Sequence, residues 1–229
     1  MTSAFRGASS RTFVLVAAVV AALIFGAAMG MLISTARGGG DDAPPSAGSV
    51  DVGFAQDMRM HHLQAVTMAG VERDRTSDLT LRGIAFDIES TQLSQASEMA
   101  GWLTVWVQPS LPAAGAGHMQ WMSEGGTHSH SNGAGGQTTG SVQRMPGMAT
   151  TDELNKLRKL SGAELDVYFL QLMLRHHEGG TEMAEYAAQH AAKGYVRNLA
   201  DKIVKSQTSE SNLMKSMLAQ RGAKPLPLS

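Results

Sequence analysis

The chain has 229 residues, 43% apolar and 17% charged, with a formal net charge of −1 and no cysteine. The near-neutral balance argues against a nucleic-acid surface, and the lack of cysteine excludes both a disulfide framework and thiolate chemistry. Any soft-metal chemistry must rest on the 15 methionines and 8 histidines.

Residues 1–12 carry Arg6 and Arg11, and residues 13–33, FVLVAAVVAALIFGAAMGMLI, carry no charge. An uncharged run of about 20 residues is long enough to cross a bilayer as a helix. Arginines before it keep the N-terminus cytoplasmic. The expectation is a single-pass transmembrane helix in the cell membrane, with everything beyond it on the extracytoplasmic side. A cleaved, secreted form is the alternative, but signal h-regions are usually shorter than this run. Residues 34–50 read as a flexible tether.

The exported part, residues 51–222, reads as two helical hairpins. In the first, 51–106, Phe54, Met58, His61, Ala65 and Met68 fall on one helical face, with Asp51 as N-cap. DRTSD at 74–78 breaks the pattern. Ser77 can then cap a second helix with the stripe Leu81, Ala85, Ile88, Gln92, Gln95, Met99 and Leu103. Residues 107–150 are a crossover rich in Gly, Ser and Thr. A short helix at 151–160 opens the second hairpin, 151–222. Ser161 and Glu164 have capping-box spacing, and Phe169, Met173, His176, Gly180 and Met183 follow on one face. Gly194 marks the turn. Val196, Ala200, Ile203, Gln207, Glu210, Met214 and Leu218 line the last helix, Gly222 sits where a C-cap glycine belongs, and 223–229 are a tail.

These hairpins are copies of each other. Shifted by the spacing between His61 and His176, the chain matches itself without a gap: Phe54 on Phe169, Met58 on Met173, His61-His62 on His176-His177, Met68 on Met183, Gln92 on Gln207, Met99 on Met214. A doubled unit of about 55 residues buries its apolar stripe against its twin. The predicted fold is all-α: an antiparallel four-helix bundle with one long crossover, the ferritin-like arrangement, plus the N-terminal transmembrane helix.

The doubled pattern resembles DUF305, a family of exported bacterial proteins. The resemblance is carried by DVGFAQDMRMHHLQAVTMA at 51–69, QLSQASEMAGWL at 92–103, MPGM at 145–148 and SGAELDVYFLQLMLRHHEGGTEMA at 161–184. It implies a ferritin-like bundle and, because some members are periplasmic copper-binding proteins, a copper role. Two departures from the family pattern stand out. Gln92 and Gln95 occupy the first of two Gln-x-x-Glu positions, the second being Gln207 and Glu210, and Gly180 replaces the usual alanine after the second histidine pair.

At about 100° per residue, His61 and His176 fall on the core stripe, while His62 and His177 are rotated toward the bundle edge. One reading is architectural: His61, His176, Gln92 and Gln207 form a hydrogen-bonded polar layer that fixes helix register. The other is a metal layer of Met58, His61, His62, Met68, Met173, His176, His177 and Met183, with thioethers favouring Cu(I) and imidazoles suiting copper or zinc. The two coexist if the inner histidines are structural and the outer ones ligate. The crossover adds His118, Met119, Met122, His128 and His130 as a second candidate tract. A di-iron oxidase is disfavoured, because no Glu-x-x-His occurs. No nucleophile elbow or phosphate loop is present. The chain is therefore read as a non-enzyme: a membrane-anchored copper sequestration or delivery protein, or else a structural module of a cell-envelope complex.

Overall fold

The computed structural model describes residues 29, 43–112, 117–122 and 143–228. The chain divides into two units, 1–43 and 44–229; the second contains the bundle. Among the described residues no helix is long and apolar enough to cross a membrane. The expected membrane span at 13–33 lies, Met29 apart, outside the described residues.

Five α-helices run in order: α1 Val50–Arg75, α2 Leu79–Val105, α3 Thr151–Lys159, α4 Gly162–His190 and α5 Gly194–Gln220, with a 3-10 turn at Gln120–Met122. There are no strands among the described residues. Four long helices make two hairpins, α1–α2 and α4–α5, which meet through α1 against α4. This helical bundle is the predicted all-α architecture, with the long connection between α2 and α3.

Several helix starts differ from the sequence reading. Ser49, not Asp51, caps α1, accepting from Val52 N at 3.3 Å. Asp51 is instead turned across the bundle, where it accepts from the backbone N–H groups of Ala192 and Lys193 at 3.0 and 2.8 Å. It thereby satisfies donors at the start of α5, where a carboxylate is favoured. Its repeat partner Asp166 does the mirror-image job, accepting from Thr76 Oγ1 at 2.8 Å beside the α1–α2 turn. The two aspartates pin each hairpin to the turn of the other. Asp78 rather than Ser77 caps α2. The capping box belongs to Thr150 and Glu153 at α3, whereas Ser161 makes no side-chain cap bond. Gly162, at φ 56°, turns the chain sharply there between two helices. A bidentate pair of Arg175 with Glu153, at 2.9 and 2.8 Å, fastens α3 to α4.

The apolar stripes form two clusters. One holds Phe54, Met58, Met99, Leu103, Met183 and Ile203; the other holds Met68, Leu81, Ile88, Phe169, Met173, Met214 and Leu218. Full burial of each large side chain is worth about 1.5–3 kcal/mol. Sequence-adjacent stripe residues split between the clusters because α1 and α4 run antiparallel. Met58 of α1 thus joins Met183 of α4, and Met68 joins Met173. Between the two clusters in sequence, on both helices, stand the histidine pairs.

Candidate metal centre

All four paired histidines are fully buried. Spacing alone put His62 and His177 at the bundle edge, and the structure corrects this. α1 packs against α2 on one flank and α4 on another, so a 100° step from the core stripe still lands under a neighbouring helix. His62 Nε2 donates to Gln95 Oε1 at 2.7 Å. His177 Nε2 meets Glu210 Oε2 at 2.5 Å. The inner pair meets across the hairpins, ring centroids 3.7 Å apart. His61 Nε2 donates to the Pro146 carbonyl at 3.1 Å and His176 Nε2 to the His61 carbonyl at 3.0 Å.

Gln92 and Gln207, expected to partner the inner histidines, do not. Both are buried, and neither amide group has a hydrogen-bond partner. Backbone carbonyls have taken the imidazole donors instead, one of them from the crossover. Two glycines admit this arrangement. A Cβ on Gly179 would lie 2.3 Å from the Pro146 carbonyl oxygen, and one on Gly180 would lie 2.9 Å from both His61 Cε1 and Gln207 Oε1. The HHEGG run is thus a helix surface cut away so that a carbonyl and a ring can approach. Gly147, at φ 76°, sits against the Arg175 carbonyl. Gln64 holds the next turn of the crossover through paired bonds with the backbone of Ala149.

The partners fix the tautomers. A carbonyl or carboxylate oxygen only accepts, so each Nε2 carries the proton and each neutral ring keeps its lone pair on Nδ1. The Nδ1 atoms of His61, His62, His176 and His177 are all buried and all without a partner. Together with the amide groups of Gln92 and Gln207 they make up most of the unpartnered buried side-chain polar atoms among the described residues. Leaving such an atom unpaired costs about 1–3 kcal/mol, and a cluster of them calls for an ion or water. Burial lowers the pKa of His61 to about 4, with the Pro146 bond opposing, and that of His62 to about 3. His176 is pushed well below the ordinary imidazole value, first by burial and then by His61. These three rings are neutral near pH 7 and their lone pairs are available.

Met58, Met68, Met173 and Met183 are all fully buried, one pair in each apolar cluster. Among the described residues no three His, Asp or Glu side chains converge as a ready-made metal cluster. In the crossover, His118 Nδ1 bonds Asp57 Oδ1 at 2.8 Å, while Asp57 Oδ2 accepts from Met119 N and Trp121 Nε1, each at 2.8 Å. Met119 is buried and Met122 packs at the edge of the same cluster. His118, Met119 and Met122 dock the crossover, Met119 within the cluster that also holds Met58 and Met183. His128 and His130 lie outside the described residues. Asp57, Pro146 and Gly179 were missed in sequence. The acidic residue on an otherwise apolar helix face and the doubled glycine were the available signals.

A bundle of two repeated hairpins, closed around buried histidine pairs at the meeting of α1 and α4, is the class this fold and site define. The family profile for a domain of unknown function, DUF305, matches residues 51–218, and the chain belongs to the DUF305 family. It is similar to the crystal structure of a DUF305 protein of Streptomyces coelicolor named as secreted, with 41% identity over 80% of this chain and 99% of that one, TM-score 0.68. A DUF305 fragment from Deinococcus radiodurans is 28% identical over 75% of this chain and 96% of that one, TM-score 0.58. CopM in its Cu(I)-bound form shares the fold at 21% identity, covering 74% of this chain and 96% of that one, TM-score 0.54. CopM in its Cu(II)-bound form is similar to the same degree. No curated protein sequence matches the chain significantly.

Proposed function

We propose that this protein is a membrane-anchored, extracytoplasmic copper-binding protein serving sequestration or delivery, with no catalytic step. The observation that carries the reading is the set of four buried Nδ1 atoms without a partner, each ring oriented by an acceptor on its other nitrogen. That is how metal-ligating histidines are ordinarily held. The donors for the metal would be His61, His62, His176 and His177, with the thioethers of Met58, Met68, Met173 and Met183. A bound copper ion would supply the positive charge that the unpartnered lone pairs accommodate.

Copper is favoured over zinc on ligand chemistry. Thioether sulfur favours Cu(I). CopM, with the same fold, is a copper-bound protein. Export and anchoring are supported by the uncharged 13–33 segment behind Arg6 and Arg11, and export by the Streptomyces relative named as secreted.

Equilibrium dialysis of the full chain in detergent against Cu(I), Cu(II) and Zn(II) tests this. The expected result is Cu(I) bound well above free amino-acid background and more tightly than Zn(II). Background-level copper would leave the second reading: an envelope interaction module whose histidine layer is architectural. That reading is favoured by the full satisfaction of every Nε2 by the protein itself.

A further inference from the structure

Gly180 marks a difference between the two halves of the chain. In the repeat register it falls on Ala65, while Gln207 falls on Gln92 and His176 on His61. Ala65 is fully buried and carries the methyl that Gly180 lacks. A Cβ on Gly180 would lie 2.9 Å from Gln207 Oε1, 2.9 Å from His61 Cε1 and 3.3 Å from His61 Nδ1. Without that methyl, the Nδ1 edge of one histidine and one glutamine oxygen border a single spot. They come from different hairpins, His61 from α1 and Gln207 from α5.

Neither atom has a hydrogen-bond partner. His61 Nε2 gives its proton to the Pro146 carbonyl, so Nδ1 is an acceptor, as the amide oxygen is. Two buried acceptors turned to one spot need a donor or a cation between them. Gln207 is only 2% exposed, and its Nε2 is unpartnered as well, so the fold itself gains no bond from this amide. Three residues along α5, Glu210 holds Nε2 of His177. One helix therefore brings to the histidine layer both a partner that orients a ring and an oxygen donor that orients nothing.

The donor pair selects the ion. Thioethers favour Cu(I), whereas a set of imidazole nitrogen and amide oxygen suits Cu(II). At a given site of this kind the divalent order places Cu(II) above Zn(II). Exchange of a thioether for an amide oxygen is also one of the levers that tune the redox potential of copper sites.

We infer that Gln207 is a copper ligand: its Oε1 and His61 Nδ1 form a one-sided notch over Gly180 that holds Cu(II), and Gln92 in the other half has no such role. This rests on the reading of the histidine layer as a copper site. It adds to that reading a ligand, an oxidation state and a break in the symmetry of the repeat.

The test takes the full chain in detergent and measures Cu(II) and Cu(I) affinities separately by competition, with the EPR spectrum of each Cu(II)-loaded form. Native protein is compared with Gln207→Leu, Gln207→Glu and Gln92→Leu. Leucine removes an amide that bonds nothing, so metal-free Gln207→Leu should melt no lower than native. Loss of an outer partner of a metal ligand typically costs 10–100-fold in affinity. Loss of a direct ligand in Gln207→Leu should thus weaken Cu(II) by about 10-fold or more, change Cu(I) less, and shift the EPR spectrum, which a merely structural residue would leave in place. Gln207→Glu keeps an oxygen at the notch and should hold Cu(II) at least as tightly as native. Gln92→Leu should leave both affinities and the spectrum unchanged. A native chain that binds neither ion overturns the copper reading and this inference together. Binding of Cu(I) without Cu(II), or Cu(II) affinity and spectrum unaltered in Gln207→Leu, overturns the notch and leaves the copper reading standing. Equal Cu(II) losses in the two leucine variants overturn the one-sided assignment. A lower melting temperature of metal-free Gln207→Leu overturns the ligand role, because the amide would then be bonding within the fold.

Discussion

His61 and His176 lie ring against ring, centroids 3.7 Å and planes 34° apart, and Nε2 of the second donates to the backbone carbonyl of the first. Two imidazoles stacked in an apolar interior cannot both carry charge without strong repulsion. The contact therefore joins the hairpins only while the rings are neutral.

Acid should loosen the apo protein earlier than its carboxylates alone dictate. His61 and His62 have folded-state pKa values of about 4 and 3, below the ordinary 6.5. The unfolded chain then binds more protons below pH 6.5, so their contribution is fully present above 6.5 and is lost as pH falls toward 4. Glu72 has the opposite sign. Burial, with Asp166 beside it, raises its pKa to about 8. Its contribution is present below about 4.5 and is lost as pH rises through 8. Urea midpoints from pH 4 to 9 should show both limbs, and Glu72→Gln should remove the alkaline one. A flat profile between pH 6.5 and 4.5 contradicts the neutral layer.

Replacing any one of the four histidines by alanine should cost about 2–5 kcal/mol, since each ring is fully buried and leaves a cavity, and at His176 a buried carbonyl loses its donor as well. Denaturant titration checks this. Losses below about 0.5 kcal/mol, the size expected of surface changes, at His62 and His177 would restore the edge placement.

The glycines of the HHEGG run should resist substitution unequally. Gly180→Ala presses on His61 and Gln207 side chains, and should cost about 1–3 kcal/mol. Gly179→Ala presses on the Pro146 backbone, which has less room to yield, and should cost more. Thermal melts of the two variants give the order.

The repeat is broken electrostatically where Gln95 faces His62 and Glu210 faces His177. A carboxylate partner makes an imidazole a stronger ligand, so Glu210→Ala should weaken copper binding about 10-fold or more. Competition titration measures it. Alanine replacement of His128 and His130 should leave this affinity unchanged, and a loss there would move the site to the crossover.

Periodicity and the repeat made the helices, their pairing and the buried stripes legible in sequence, because those follow from local spacing. The partners of the histidines were not legible. Pro146 reaches His61 across 85 positions, through a carbonyl that every residue possesses. Asp51 looked like a local cap because its α5 partners lie 141 and 142 positions away. The burial of His62 depended on both flanks of α1 being covered, which one helical wheel cannot show. The tract from 123 to 142 that holds His128 and His130 is outside the described residues.

The central claim is that the buried Nδ1 atoms of His61, His62 and His176 are unprotonated and that the histidine layer is open to copper. Long-range 15N–1H correlation spectra of histidine-labelled protein, recorded near pH 7 before and after Cu(I), read each ring nitrogen directly. The account predicts the Nε2–H tautomer at His61, His62 and His176 in the apo protein, and large Nδ1 shifts among the four histidines on adding Cu(I). Protonated Nδ1 atoms, or Cu(I) binding that leaves all four Nδ1 signals in place, would contradict it.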